Sequence, residues 1–173
     1  MQFYMPTKVY SEENCVMSHG KELAALGTKA MIVTGRNSAK KTGALADVTA
    51  ALEAQGVPYV IFDRVEENPS VETVMEARDI AIDGGIDFFI GIGGGSPMDA
   101  SKAISLMTAN PEEDDKILYT SVKKPYLPVA CVPTTCGTGS EVTPYAILTR
   151  HAHRTKKSIS HRICPVLALL DAK

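Results

Sequence analysis

A run of glycines between an apolar segment and a helical pattern is the feature that most constrains this chain. Apolar residues 88–90 predict a buried strand, and Gly93, Gly94 and Gly95 follow it. Apolar residues then recur at helical spacing over 100–107. Glycines let backbone N–H groups approach an anion closely, and a helix N-terminus adds a partial positive charge. The segment therefore predicts a phosphate-binding turn, whose guest is a nucleotide pyrophosphate.

The same residues also fit a helix start that binds nothing. Ser96 suits the N-cap, Pro97 the first helical position, and Asp99 the acidic third position of a capping box. Ser96 also stands where a dinucleotide fingerprint has its third glycine. The glycine run favours the ligand, because a cap requires no glycines before it.

The central part of the chain alternates strands and helices. Strands are predicted at 30–34, 59–62, 87–92 and 127–132, and helices at 40–55, at 71–83 with Ser70 as N-cap, and after Pro97. This alternation predicts an α/β fold with a Rossmann-like, doubly wound, mainly parallel sheet. After Pro144 the pattern changes to a small hairpin, 145–148 with 157–160, and a last strand at 166–170.

Three polar or glycine-rich loops follow predicted strands. They begin at Gly35, Gly93 and Thr134. Ligands of open parallel sheets bind beyond the carboxyl ends of the strands, so these loops can meet in one crevice. The loop at Thr134 is also explained by an ordinary turn rich in glycine and threonine.

Composition excludes several classes of protein. The chain has 173 residues, 45% of them hydrophobic, which suits one domain with a buried core. A net charge of −2 and a pI near 6.1 argue against a nucleic-acid partner. No segment resembles a membrane span or a secretion signal, so we expect a cytoplasmic protein without a membrane partner. The four cysteines form no CxxC pair, which argues against a structural zinc site.

Two segments together carry a resemblance to a known family. GGGSPMDASKA at 93–103 followed by PTTCGTGSEVT at 133–143 resembles the iron-containing alcohol dehydrogenases, and the NADP-using butanol or 1,3-propanediol branch in particular. The resemblance implies the N-terminal domain of a dehydroquinate synthase-like fold and hydride transfer between a nicotinamide and a small alcohol or aldehyde. The alternatives are a glycerol- or sugar-phosphate-dehydrogenase-like relative, which the second segment disfavours, and a stand-alone nucleotide-binding module.

The residues after the first strand of the alternating unit bear on cofactor choice. Where NAD-preferring relatives commonly carry an aspartate, this chain has Gly35. The absent carboxylate removes repulsion against a 2′-phosphate, and Arg36, Ser38 and the lysines at 40–41 supply donors. We therefore expect NADP(H) in preference to NAD(H).

The resemblance also implies roles for residues in the other loops. Asn68 is expected beside the cofactor, Lys157 near its ribose (with Lys156 as the other register), and Asp99 near the nicotinamide as a tentative catalytic residue. Further cofactor contacts are expected from Gly93, Gly94, Gly95, Ser96, Thr134, Thr135 and Thr138.

No metal site is predicted in this chain. The resemblance implies iron or zinc bound by an aspartate and three histidines of a helical domain, and the D-x-x-x-H motif of that domain is absent. His151 and His153 fall in a basic, exposed loop. We expect residues 1–173 to form the dinucleotide-binding domain alone, inactive by itself, with metal only in the full-length protein. The resemblance further implies a homodimer through an N-terminal strand, at 2–5 in this sequence.

Overall fold

Six parallel strands form the central sheet, and helices cover both of its faces. The computed structural model describes residues 1–172. The strands are β1 (Lys8–Glu12), β2 (Ala30–Thr34), β3 (Tyr59–Phe62), β4 (Phe88–Gly93), β5 (Val129–Pro133), β6 (Ile147–Arg150), β7 (Thr155–Ser158) and β8 (Leu167–Asp171). The helices are α1 (Cys15–Ser18), α2 (Gly20–Ala24), α3 (Ser38–Lys41), α4 (Ala44–Ala54), α5 (Val71–Asp83) and α6 (Gly95–Ala109), with short 3₁₀ helices at Asp115–Tyr119 and His151–His153.

The strand order of the sheet is β1-β8-β5-β4-β2-β3, and every neighbouring pair is parallel. Strands β6 and β7 form a separate antiparallel hairpin. The predicted α/β class, the doubly wound parallel sheet and the small hairpin near the C-terminus are therefore confirmed.

Alternate side chains of the inner strands enter two different cores. On β2, Met31 and Val33 pack in the core that α5 and α6 cover, whereas Ala30 and Ile32 pack in the core beneath α1, α2 and α4. All five residues of β2 are buried, as continuous apolar strands of a covered parallel sheet require.

The structure confirms one predicted helix and corrects another. Helix α5 spans Val71–Asp83 as predicted, with Ser70 as its N-cap, whose hydroxyl accepts the Thr73 N–H at 3.2 Å. The single helix predicted over 40–55 is wrong, because the chain forms α3 and α4 with a break between them. Gly43 lies in that break at φ 81°, a left-handed conformation that ends one helix and begins the next.

The first strand of the hairpin lies two residues later than predicted, at 147–150, and the second strand begins two residues earlier than predicted, at 155. The carbonyl of Tyr145 accepts a hydrogen bond from Lys102, and this residue precedes the ladder, which begins at Ile147. The Thr149 N–H instead donates to the carbonyl of Pro69 at 2.8 Å, and this bond fixes β6 beside the start of α5.

The N-terminal strand is also displaced from its expected position. Residues 2–5 are exposed and form no strand, whereas β1 pairs with β8 in the register Lys8↔Leu167. Placing the strand at 2–5 was therefore wrong. No helix within residues 1–172 combines the length and the apolar character that a membrane span requires.

Candidate functional site

The carboxyl ends of three adjacent strands hold the three loops singled out in the sequence. Strands β2, β4 and β5 are neighbours in the sheet, and their loops begin at Gly35, Gly94 and Thr134. The Thr134 N–H donates to the carbonyl of Gly93 at 2.9 Å, which ties two of these loops together. The expected convergence of the loops at one edge of the sheet is confirmed.

The glycine run joins β4 to α6, and two of its three positions have little room for a side chain. Gly93 has φ 139°, and a Cβ there would lie 2.8 Å from Cγ of Pro97. A Cβ on Gly95 would lie 3.1 Å from Cγ2 of Thr138. The first N–H groups of α6 have no partner within the helix, and they begin at this turn. The turn therefore offers backbone donors and a partial positive charge to an anion.

The start of α6 is not the capping box that the sequence also allowed. The helix begins at Gly95 with Gly94 as N-cap, and no side chain caps it. Asp99 is not used by the helix start, because its carboxylate accepts hydrogen bonds from a distant loop. Ser96 accepts the N–H of Asn68 at 3.2 Å and so contacts another loop as well.

Asp99 lies in a network that includes a completely buried lysine. The Ser140 hydroxyl donates to Oδ1 of Asp99 at 2.6 Å, and the Ile147 N–H donates to Oδ2 at 2.9 Å. Lys102 donates to Ser140 Oγ at 3.0 Å and to the carbonyls of Thr143 and Tyr145, each at 2.8 Å. Burial lowers the pKa of Lys102 from its ordinary value, although nearby charges, Asp99 among them, oppose the shift.

Lys102 was not among the site residues predicted from the sequence. The Lys102 ammonium lies 3.9 Å from Oδ1 of Asp99, which is one turn earlier in α6, so this ion pair is the longest of its polar contacts. Its position in α6 indicates that it is buried, because the helix is buried from Pro97 to Met98 and again from Ala100 to Thr108. A lysine inside such a helix requires partners from elsewhere in the fold.

Asn68 and a lysine of the hairpin meet across the cleft. Asn68 has φ 57°, and its side-chain oxygen accepts a hydrogen bond from Lys156 at 2.9 Å. Lys157 lies elsewhere, with its ammonium 5.5 Å from the ring centre of Tyr119. Successive residues of a strand point to opposite sides, so only one of the two lysines can face the cleft. The structure brings Lys156, and not Lys157, to Asn68.

These residues surround a cavity of about 450 Å³, which we call the Asp99 cavity. Its lining comprises Asn68, Pro69, Gly95, Ser96, Asp99, Thr138, Ser140, Thr143, Tyr145, Ile147 and Lys156. The expected cofactor contacts Asn68, Gly95, Ser96, Asp99 and Thr138 therefore lie together.

A second cavity, the Thr134 cavity, has a volume of about 350 Å³. It is lined by Val16, Thr42, Ala44, Asp47, Val132, Pro133, Thr134, Thr135, Cys136, Glu141, Leu170 and Asp171. Three buried oxygens of its lining, Thr134 Oγ1, Glu141 Oε2 and Asp171 Oδ2, have no hydrogen-bond partner within residues 1–172. Such atoms are costly to leave unpaired, so the cavity suits a ligand that carries hydrogen-bond donors.

The loop after β2 contributes a hydroxyl and exposed cations. Ser38 Oγ lies 3.5 Å from where a Cβ on Gly93 would stand, so it borders the glycine turn. Arg36 is exposed. Lys40 forms an ion pair of 2.9 Å with Asp63, which follows β3, and this ion pair lowers the pKa of the Asp63 carboxyl. One of the cations expected for a 2′-phosphate therefore already has a carboxylate partner.

The histidines of the C-terminal third do not form a metal site. His161 is buried with Nε2 2.6 Å from the carbonyl of Ile117, whereas His151 and His153 are exposed on the hairpin. An aspartate with three histidines is not assembled within residues 1–172, so the residues present do not fit the iron set that the resemblance implies. The one group of side chains in that range that could hold a metal ion lies elsewhere, at Glu12, Cys15 and His19, and it was not predicted from the sequence.

Comparison with known proteins assigns this arrangement to one family. The family model described as iron-containing alcohol dehydrogenase matches residues 6–172. Lactaldehyde reductase of Escherichia coli K12 is 36% identical over 148 residues, which cover 83% of this chain and 38% of that protein. NAD-dependent methanol dehydrogenase of Bacillus methanolicus is 32% identical over 171 residues, covering 98% of this chain and 45% of that protein.

A solved structure agrees with these sequence matches. An iron-containing alcohol dehydrogenase of Thermotoga maritima superimposes with a TM-score of 0.92 and 43% identity, over 98% of this chain and 47% of the other. The chain thus spans less than half the length of the relatives it matches.

Proposed function

Because the chain belongs to the iron-containing alcohol dehydrogenase family, we propose that residues 1–173 are the nicotinamide-dinucleotide-binding domain of an alcohol or aldehyde oxidoreductase. The observation that carries the proposal is the position of the glycine turn between two cavities. A Cβ on Gly94 would lie 3.4 Å from Oγ1 of Thr135, which lines the Thr134 cavity, and Gly95 lines the Asp99 cavity. A dinucleotide has that shape, with two bulky ends joined by a pyrophosphate.

Each part of the turn has a role in this proposal. The backbone N–H groups at Gly94 and Gly95 bind the pyrophosphate, with Ser38 as a neighbouring hydroxyl donor. Lys156, oriented by Asn68, contributes a positive charge at the rim of the Asp99 cavity. Asp99, whose two oxygens are held by Ser140 and Ile147, forms a fixed polar wall at the nicotinamide end.

We propose NADP(H) as the preferred cofactor. Gly35 leaves the end of β2 without a carboxylate, and Arg36 is exposed beside it. Lys40 can pair with a 2′-phosphate only in competition with Asp63. The relative from Bacillus methanolicus is described as NAD-dependent, so the proposed preference rests on the residues of this loop in this chain and not on that relative.

The reaction of the whole protein is hydride transfer between the nicotinamide and a small alcohol or aldehyde. The bound cofactor supplies the hydride acceptor or donor. This chain's residues bind and orient the cofactor, and they do not assemble the family's iron ligands. We therefore expect residues 1–173 alone to bind NADPH without oxidising short-chain alcohols, as an absorbance assay with added divalent iron would measure. Oxidation of alcohols by residues 1–173 alone would contradict the proposal that this chain binds the cofactor without supplying the iron ligands.

Replacing one glycine tests the phosphate turn. Gly94 has φ −82° and ψ −162°, which any residue adopts, so Gly94→Val leaves the backbone unstrained and fills the ligand side of the turn. We expect calorimetry to show NADPH binding lost while circular dichroism is unchanged. Ala50→Val, at an exposed position of α4, is the matched control and retains binding. A folded Gly94→Val variant with undiminished NADPH affinity would exclude the turn as the pyrophosphate site.

A further inference from the structure

Three potential metal ligands from one short stretch of chain meet beside the edge of the sheet. Glu12 is the last residue of β1, Cys15 is the first of α1, and His19 separates α1 from α2. One carboxylate oxygen, the sulfur and one imidazole nitrogen all lie within 4.8 Å of one another. Zinc in proteins is bound mostly by nitrogen, oxygen and sulfur atoms, and this cluster presents one of each.

The local fold holds these donors in place. Asn14, between the strand and the helix, has φ 57°, and its N–H donates to Oδ1 of Asp171 at 3.0 Å. Cys15 is fully buried, the His19 side chain is 17% exposed, and the Glu12 side chain is 50% exposed. The carboxylate is thus the solvent-facing member of the cluster and the thiol its buried member, with the sulfur 3.5 Å from the carbonyl of Tyr10.

The imidazole of His19 is oriented from its other side, as metal-binding histidines usually are. Its Nε2 faces Glu12 at 2.7 Å, and its Nδ1 lies 3.4 Å from Oε1 of Glu22. The ring stacks on Tyr10 with centroids 3.5 Å apart. Glu22 is itself fixed by Lys8 at 2.8 Å and by the Tyr10 hydroxyl. A carboxylate behind the imidazole fixes its tautomer and raises its basicity toward a metal.

We propose that Glu12, Cys15 and His19 bind a zinc ion, with a solvent molecule as the fourth ligand. Tetrahedral zinc holds its nitrogen, oxygen and sulfur ligands about 3.3–3.8 Å apart, which small side-chain rotations achieve from the observed cluster. The site is separate from the iron of the family, whose ligands are one aspartate and three histidines. The proposal is also independent of cofactor binding, because none of the three ligands lines either cavity.

A metal binds the Cys15 sulfur as the thiolate, after the thiol has lost its proton. Zinc binding replaces that proton with a metal–thiolate bond, and the proton goes to solvent. Zinc affinity should consequently increase with pH.

Cobalt substitution tests the site through its sulfur ligand. We expect the metal-free chain to bind one equivalent of Co²⁺ with a near-ultraviolet thiolate-to-cobalt band, and Zn²⁺ to displace it. Cys15→Ser removes the band, and Glu22→Gln, behind the imidazole, weakens zinc about 10- to 100-fold. Cys164→Ser and His151→Gln, a thiol and an imidazole outside the cluster, leave both readouts unchanged.

Glu12→Gln keeps the test decisive if replacement of the buried cysteine impairs folding, because its side chain is half exposed and its loss removes one ligand. We expect it to lower zinc affinity at least about tenfold while the circular dichroism is retained. If Glu12 and His19 formed only an ion pair and held no metal, no thiolate-to-cobalt band would be expected. Absence of the cobalt band in the folded parent chain, or zinc binding unaffected by both Glu12→Gln and Cys15→Ser, would overturn the proposal.

Discussion

Lys102 donates a hydrogen bond of 3.0 Å to the hydroxyl of Ser140, whose own proton is directed to Asp99. The ammonium is completely buried and also serves the carbonyls of Thr143 and Tyr145. One cation of α6 therefore holds the loop that forms one wall of the Asp99 cavity.

Replacing this lysine should destabilise the fold. Lys102→Met keeps the volume but leaves two partly buried carbonyls and the buried Ser140 hydroxyl without their donor, which we expect to cost about 2–4 kcal/mol of the free energy of unfolding. Urea unfolding monitored by circular dichroism measures the loss. Lys116→Met, at an exposed position, should stay within about 0.5 kcal/mol. If both variants unfold at the same urea concentration as the parent, the network contributes nothing to stability.

A carboxylate at Gly35 should reverse the cofactor preference. Gly35→Asp places a negative charge at the end of β2, which should repel a 2′-phosphate and accept ribose hydroxyls, a change of about 1–3 kcal/mol in relative affinity. A Cβ at this position would lie 3.3 Å from the carbonyl of Val65, so Gly35→Asn controls for size without charge. Titrations with NADPH and NADH compare the two. An aspartate variant that behaves like the asparagine variant would show that Gly35 is remote from the ribose.

The ion pair between Lys40 and Asp63 should limit NADPH affinity. Asp63→Asn releases Lys40 toward the loop after β2, so we expect NADPH to bind about two- to fivefold more tightly, with NADH unchanged. Asp79→Asn, which removes the carboxylate from another exposed pair, should alter neither affinity. An equal gain for both cofactors would contradict a role for Lys40 at a 2′-phosphate.

The hairpin carries positive charge and no carboxylate of its own, and it should guide an anionic cofactor to the cleft. Residues 150–162 include five cations and no carboxylate, and none of the five forms an ion pair within the described chain: Arg150, Arg154, Lys156, Lys157 and Arg162. A cluster of positive charges near a binding cleft raises the association rate of an anionic ligand, and salt screens this effect.

Arg154→Gln should therefore slow NADPH association about two- to fivefold at low ionic strength, with little change in dissociation. Stopped-flow fluorescence at increasing salt measures both rates, and the difference from the parent should vanish as screening increases. Lys21→Gln, on α2 at the other face of the sheet, is the matched control. A salt-independent effect of Arg154→Gln would point to a structural role instead.

The parallel sheet could be predicted because its strands are continuous apolar runs, as in β2 and β4. Strand β1 could not, since its exposed KVYSE sequence carries no such pattern and it forms only by pairing with β8. The break at Gly43 was missed because a glycine inside a helical pattern is usually tolerated, and only the positive φ shows that the helix ends there.

The loops of the candidate site were predictable, but their partners were not. Gly93 and Thr134 follow apolar strands, which a local pattern reveals. The contacts of Lys102 with residues about 40 positions away, and of Lys156 with Asn68, arise from long-range packing that spacing does not encode. The choice between Lys156 and Lys157 likewise depended on which side of β7 faces the cleft.

The pairing of β1 with β8 also constrains when the chain can finish folding during synthesis. Strand β8 lies between β1 and β5, so residues 8–12 have no strand to join until residues 167–171 have left the ribosome. Residues 8–12 are made well before residues 167–171 and therefore join the sheet late, and meanwhile the edge of β5 stays open to unwanted pairing. Protection of that edge, by a chaperone or by rapid completion of the chain, should therefore raise the yield of folded protein.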